Sequence, residues 1–245
     1  MRLLKMLLLA ALFAAILTIP MWAQDAPKPA IFSLTFDDGF QSAYDKALPI
    51  LDSTHLKATW FVITGVLGSP TYMTRDEVVA LDKDGQELGC HTMTHPNLAD
   101  LTMLQQQNEL QGSENYLNGL LGHAPLAFAY PYGSRNSDTV ELLQQNGYTT
   151  ARTVDWGANL PGTTDPLELH SYSMDATSKL DDAKADIDNA PAGSWVIFVF
   201  HRVGETGNSV SVDPQFLRGI ADYLVQKHAI VLTQTEGWKV FHGRR

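Results

Sequence analysis

Two short segments hold residues that could do chemistry together. Asp37 and Asp38 close an apolar run, in Thr35-Phe36-Asp37-Asp38-Gly39. His91 and His95 lie further along, in His91-Thr92-Met93-Thr94-His95. One or two carboxylates with two imidazoles make a ligand set for one divalent metal that keeps an open coordination position. Such a metal can polarise a carbonyl and activate water. Adjacent Asp residues also allow a split of labour, one holding metal and one acting as general base. The chemistry is metal-assisted hydrolysis. Each segment alone is ambiguous. Asp-Asp-Gly also makes ordinary turns. His-x-x-x-His puts two imidazoles on one face if helical, but Pro96 follows at once and favours a loop. Thr92 stands where zinc peptidases carry their catalytic Glu. A two-His, one-carboxylate set also suits Fe(II) oxygenases, but the usual spacing of one His two residues from the carboxylate is absent.

These groups need a scaffold that brings several strand ends to one place. Apolar runs alternate with amphipathic stretches along the chain. The pattern predicts strands over 30–36, 58–63, 86–90, 126–130, 148–153, 168–173, 195–200 and 229–232. It predicts helices over 42–52, with Pro49 near the end, and over 77–83, 102–121, 137–146, 178–189 and 213–227. Thr74 and Glu77 form a capping box, and Gly147 is a C-terminal cap. The near-continuous apolar run 195–200 fits a strand buried on both faces. Repeated β-α units argue for a parallel sheet covered by helices, either a barrel or an open doubly wound sheet. No G-x-G-x-x-G follows the first strand, so a dinucleotide fold gets no support. Asp37, Asp38, His91, Tyr132, Asp155 and His201 all fall just after strands, where both architectures build their active sites. With no internal repeat or linker, one domain is the simplest account.

The chain has 245 residues, 44% of them hydrophobic, enough for a packed core. Arg2 and Lys5, the apolar run 7–19, Pro20 and Ala23 read as a signal peptide over 1–23, with an uncleaved anchor as the alternative. Export then places the mature protein in the periplasm or outside the cell. Residues 24–29 read as a short linker and 30–245 as the catalytic domain. Losing residues 1–23 removes two basic residues and no acid, so the net charge of −10 becomes −12. With no basic patch, nucleic acid is excluded as a natural partner. No stable membrane partner is expected after cleavage. The single cysteine, Cys90, rules out an intrachain disulfide and reads as a buried small apolar residue.

Taken together, the segments resemble the polysaccharide deacetylase family, the NodB-homology domain of carbohydrate esterase family 4. The resemblance runs from about Ala30 to about Trp238. The T-F-D-D-G motif is matched by residues 35–39 and H-[ST]-x-x-H by residues 91–95. The third motif, R-x-P-[YF]-G, keeps Pro131, Tyr132 and Gly133 but has Ala129 at the Arg position. The fourth, D-x-x-D-W, keeps Asp155 and Trp156 but has Arg152 at the first Asp position. An apolar strand ending in His201 fits the fifth. The resemblance implies a single-domain distorted (β/α) barrel of about seven parallel strands. It implies Asp38, His91 and His95 as ligands of a divalent metal, usually Zn2+, with Co2+ or Ni2+ accepted in some members. Asp37 would be the base and His201 the acid that protonates the leaving amine. The Tyr132 N–H would help hold the oxyanion.

The family's third-motif Arg orients the base, and that Arg is missing. The expectation is a relocated guanidinium: Arg152 reaches Asp37 from the neighbouring strand, the planar fork of Arg suiting a fixed carboxylate. The competing expectation pairs Arg152 with another acid, such as Asp155, or with solvent. Among the aromatics, Tyr132 and Trp156 are expected to form a sugar platform, with Trp60 and Tyr130 as further candidates. The stretch 202–208 is expected to be a mobile loop over the groove. His55, His123, His170, His228 and His242 lie outside every motif. The expected substrate is an N-acetylated amino-sugar polymer or oligomer: peptidoglycan, a chitin-like chain or poly-N-acetylglucosamine. The alternatives are an O-acetyl esterase on xylan and a non-catalytic carbohydrate-binding barrel.

Overall fold

A computed structural model describes residues 28–243, so the leader and most of the linker read from the sequence lie outside the described residues. The barrel strands are β1 (Ile31–Phe36), β2 (Thr59–Val62), β3 (Glu87–Cys90), β4 (Ala127–Ala129), β5 (Thr150–Trp156), β6 (Leu169–Ser173) and β7 (Trp195–Phe200). Helices α1 (Gln41–Thr54), α2 (Arg75–Lys83), α3 (Met103–Leu121), α4 (Ser137–Gln145) and α5 (Leu180–Asp188) fall between them. Short strands β8 (Arg202–Val203) and β9 (Ser211–Val212) follow, then α6 (Pro214–Gln226), β10 (Ile230–Val231) and α7 (Gln234–His242). The seven barrel strands run parallel, and β1 pairs with both β2 and β7, which closes the sheet. β10 pairs with the start of β1 at Ile31, whereas β2 pairs with its end at Thr35. The β1–β2 seam is therefore split lengthwise between two partners, which distorts the barrel.

Strand alternation sorts the core. Phe32, Leu34 and Phe36 point outward and join Ala43 and Ala47 of α1 and Leu217 and Ile220 of α6 in the main cluster. Ile31 points inward and meets Leu169, Trp195, Ile197 and Phe241 in a second one. The rest of the interior is polar at its amino end, where hydrogen bonds join strand to strand. Glu87 accepts the Thr59 hydroxyl at 2.7 Å, and Ser33 accepts the Trp195 indole N–H at 2.9 Å. α7 seals this end. The backbone N–H groups of Gln234 and Thr235, in the first turn, donate to Thr59 Oγ1 at 2.8 Å and Glu87 Oε2 at 3.1 Å. Those N–H groups have no partner inside their own helix.

Above that layer sit Phe61, Ala127 and Ala129. Gly89 lies opposite Phe61 in register, and a Cβ there would come within 2.4 Å of the Phe61 ring. Small residues on β3 and β4 thus leave room for Phe61 and for the Arg152 guanidinium, 5.4 Å from its ring centre.

Three local expectations change. α1 runs through Pro49 to Thr54. The carbonyl that Pro49 leaves without a donor belongs to exposed Asp45, so water can satisfy it. β5 carries on to Trp156, because its outer end leaves the core as an exposed arm over Val154–Trp156. The stretch 202–208 is pinned. Arg202 and Val203 pair with Ser211 and Val212, and the Arg202 guanidinium sits 3.5 Å from the Phe40 ring centre while binding Glu205. Cys90 is fully buried, and burial pushes its thiol up to about 12, which leaves it unreactive. No helix among the described residues is long and apolar enough to cross a membrane.

Candidate metal centre and active site

The carboxyl ends of β1, β3, β5 and β7 carry the chemistry. Asp37 follows β1 on its inward-facing side, and its N–H donates to the Phe200 carbonyl at 2.8 Å, so β7 fixes it. Asp38 turns the chain with φ 71°, and its side chain faces two imidazoles. Its Oδ1 lies 3.4 Å from His91 Nε2 and 3.3 Å from His95 Nε2, and those two nitrogens are 3.2 Å apart. Asp38 Oδ1 is buried and accepts no hydrogen bond. A buried carboxylate oxygen left without a donor, with two ring nitrogens aimed at the same point, fits a divalent metal. His91 Nδ1 is 2.7 Å from the Ala129 carbonyl, which fixes the proton on Nδ1 and leaves Nε2 free to ligate. The three residues bring their ligand atoms within 4.8 Å of one another, so they can hold one ion.

Burial opposes ionisation of Asp38, yet the neighbouring imidazoles of His91, His201 and His95 outweigh it and bring it down to about 2. Burial likewise disfavours the charged form of His91, but Asp38, Asp37 and the Ala129 carbonyl outweigh it and raise its pKa. His95 is lowered by burial and by His91, against the pull of Asp38 and Asp37. In the metal-free protein Asp38 contributes its full stability above the ordinary carboxylate range and loses it as pH falls through about 2. His91 contributes below the ordinary imidazole range and loses that contribution as pH rises through its raised value. A metal competes with protons for the same nitrogens, so its affinity rises with pH.

Arg152 lies fully buried inside the barrel, and its Nη2 reaches both oxygens of Asp37 at 2.6 Å. Nη1 donates to the Thr153 carbonyl at 3.1 Å. Arg152 is in register with Ala129 on the neighbouring strand, and both face inward. The guanidinium thus comes from one strand over from the position where the resemblance expects it, and Ala129 leaves it space. His201, on the inward side after β7, brings Nε2 to 4.0 Å from Asp37 Oδ2.

Asp155 stands apart from this cluster. It is half-exposed and binds Arg135 Nη2 at 2.9 Å, with no hydrogen bond to Asp37, Arg152 or His201 among the described residues. Its place beside Arg152 in sequence is misleading, because it sits on the outer arm of β5. Trp60 and Tyr130 are corrections too, each 1% exposed. Trp60 stacks on Phe36 at 4.5 Å, and the Tyr130 hydroxyl donates to the Leu167 carbonyl at 2.8 Å, so both are core. Tyr132 and Trp156 are 67% and 65% exposed and available to a ligand. Tyr132 sets its ring 4.6 Å from that of His95, and Trp156 is backed by Tyr172 at 4.6 Å.

The site is built on costly backbone. Asp38, Thr92, His95 and Tyr132 all have positive φ, between 57° and 71°. Each such residue costs on the order of 1–3 kcal/mol and persists only where its surroundings hold it. Pro131 leads into the Tyr132 turn, and Gly133 leaves it with φ 70°, where a Cβ would come within 2.6 Å of Val154 Cγ2. For the histidine loop the holding group is Glu109 of α3, which no sequence motif singled out. Its carboxylate accepts the N–H groups of Met93 and Thr94 at 2.9 Å each and the Thr94 hydroxyl at 2.7 Å. The Thr92 hydroxyl accepts the His95 N–H at 2.9 Å. Glu109→Ala is expected to weaken divalent-metal binding about tenfold or more, on the scale of lost support to metal ligands. Competitive titration against a chromogenic chelator measures it, and unchanged affinity would show that the loop holds itself.

The sequence profile of the polysaccharide deacetylase family matches residues 24–151. The chain belongs to the polysaccharide deacetylase family. Among its relatives, a chitin deacetylase from Pestalotiopsis is 32% identical over 120 residues, 49% of this chain and 40% of that protein. A peptidoglycan-N-acetylglucosamine deacetylase from Bacillus cereus is 31% identical over 129 residues, 51% of this chain and 46% of that protein. The chain spans about half the length of these curated relatives. The solved structure of the Bacillus subtilis peptidoglycan deacetylase PdaC extends the likeness past residue 151. It superposes with a TM-score of 0.63 over 89% of this chain and 95% of that one, at 19% identity, and so shows a shared fold.

Proposed function

We propose that this chain is an exported, metal-dependent deacetylase that hydrolyses N-acetyl groups on an amino-sugar polymer or oligomer. The observation that carries the reading is the Asp37–Arg152 clamp beside the ligand triangle of Asp38, His91 and His95. A carboxylate buried and held by a guanidinium, yet outside the ligand set, is placed to act on a proton rather than on a metal. Zinc is the proposed ion, with cobalt or nickel as alternatives. When bound, it supplies Lewis acidity toward the acetyl carbonyl oxygen and the attacking water.

The protein's own groups do the rest. Asp37 takes the proton from the attacking water, and Arg152 keeps both carboxylate oxygens in one orientation for it. The Tyr132 N–H donates toward the charge that develops on the acetyl oxygen. His201 delivers a proton to the leaving amine, which is too basic to depart as an anion. Tyr132 and Trp156 offer exposed ring faces to sugar rings on either side of the scissile group. The relatives that act on chitin and peptidoglycan support this substrate class. The apolar stretch 7–19 and its basic flank support export. A purely binding role leaves the Asp37–Arg152–His201 arrangement without a purpose.

One observation favours a second reading, an O-acetyl esterase on a polymer such as xylan. His201 Nδ1 is buried without a hydrogen-bond partner among the described residues, so no group behind the ring orients it for proton delivery. An ester leaving group needs less proton donation than an amine. His201→Ala, assayed on an N-acetyl and an O-acetyl substrate, separates the two. The proposal expects turnover of the amide to fall about a hundredfold or more, on the scale of a lost general acid, with the ester far less affected. Robust wild-type turnover of the ester alone favours the esterase, whereas equal loss on both would show that His201 does not act by protonating the amine.

A further inference from the structure

We propose that Arg135 is a positioning residue that fastens the oxyanion-binding turn to the substrate platform; this rests on the functional reading above. Tyr132 occupies a left-handed conformation, φ 57° and ψ 11°, that a free chain would leave. Its N–H has no acceptor among the described residues, as a donor reserved for a ligand requires. The turn needs tethers from outside. Ser134 supplies one, bonding Asn97 in the loop after His95.

Arg135 supplies the larger one. Its Nη1 donates to the Gly133 carbonyl at 3.1 Å, its Nη2 to Asp155 at 2.9 Å and its Nε to Glu168 at 2.8 Å. One guanidinium thereby joins three segments: the Pro131–Gly133 turn, the exposed end of β5 and the entry to β6. Trp156 follows Asp155 directly, so the same clamp sets the platform ring relative to the free Tyr132 N–H. Asp155, displaced from the catalytic cluster, gains a role here as an anchor. Neither Arg135 nor Glu168 lies in any of the five motifs. Only a planar fork with donors on three nitrogens can satisfy three acceptors in this way.

The test is R135M and R135K in the full chain, with kcat and KM for acetate release from a short N-acetylglucosamine oligomer, zinc content and melting midpoint. R135M is expected to lower kcat about tenfold, on the scale of lost positioning, with KM within about twofold and zinc content unchanged. R135K is expected to leave most of that loss in place, because an ammonium cannot bridge the three acceptors. Wild-type kcat in folded R135M overturns the proposal. So does a loss that R135K restores in full and that tracks the melting midpoint. If R135M does not fold, Asp155→Ala, which removes one anchor, is read by the same criteria. If the wild-type protein releases no acetate from any substrate, the functional reading fails, and hydrogen exchange decides on Arg135. Faster exchange of the Gly133 and Ser134 amides in R135M, with residues 91–95 unchanged, upholds the clamp; unchanged exchange overturns it.

Discussion

Asp37→Asn is expected to lower turnover by about a hundredfold to ten-thousandfold, the range for a lost general base, while the protein still binds its metal. The separation follows from the geometry. Asp37 is not in the ligand triangle, which consists of Asp38, His91 and His95. It is 4% exposed and held from two sides, by the Phe200 carbonyl through its backbone and by Arg152 through its side chain. Asn has nearly the same shape and keeps one oxygen for Arg152, but it cannot take a proton from water. Acetate release gives kcat, and metal analysis of the same sample gives occupancy. Full turnover in this variant would place the base elsewhere, and loss of metal would make Asp37 a ligand.

Arg152→Ala is expected to cut turnover by more than about tenfold, through lost orientation of Asp37, with metal content unchanged. It should also cost stability, about 3–5 kcal/mol, because Asp37 is left as a buried charge without its partner. Both residues are buried, so solvent cannot compensate. The register of Ala129 opposite Arg152 suggests a sharper form of the experiment. Ala129→Arg combined with Arg152→Asp restores the family's third and fourth motifs on the same two strands. The double variant is expected to recover much of the activity that Arg152→Asp alone destroys. Denaturant unfolding and acetate release measure the two effects separately. Near-normal turnover in a folded Arg152→Ala protein would sink the account of a relocated guanidinium.

The strands were legible because buried parallel strands read as continuous apolar runs, and β7 matches its expected span, Trp195–Phe200, without a shift. The ligand triangle was legible because its members sit at strand ends in compact motifs. The position of Arg152 could be foreseen because β4 and β5 are neighbours in sequence order and alternation puts 129 and 152 on the same face. Other features depend on packing that sequence spacing does not encode. Glu109 is one acid among many polar residues on α3, and only the fold brings it under Met93 and Thr94. Asp155 adjoins Trp156 in a motif, yet β5 leaves the barrel before reaching it. Trp60 alternates correctly for either face of β2, and its stacking on Phe36 decides for the core. α7 carries a mixed sequence whose role appears only once Gln234 and Thr235 are seen donating into the barrel floor.

The most direct test of the central claim is acetate release by purified residues 24–245. The panel comprises N-acetylglucosamine oligomers, peptidoglycan fragments and acetylated xylan. Each is assayed as prepared, after chelation, and after zinc or cobalt is returned. The account predicts release from an amino-sugar substrate, lost on chelation and restored by metal. Release that persists at full rate in metal-stripped protein would contradict it. So would the absence of release from every substrate with metal demonstrably bound.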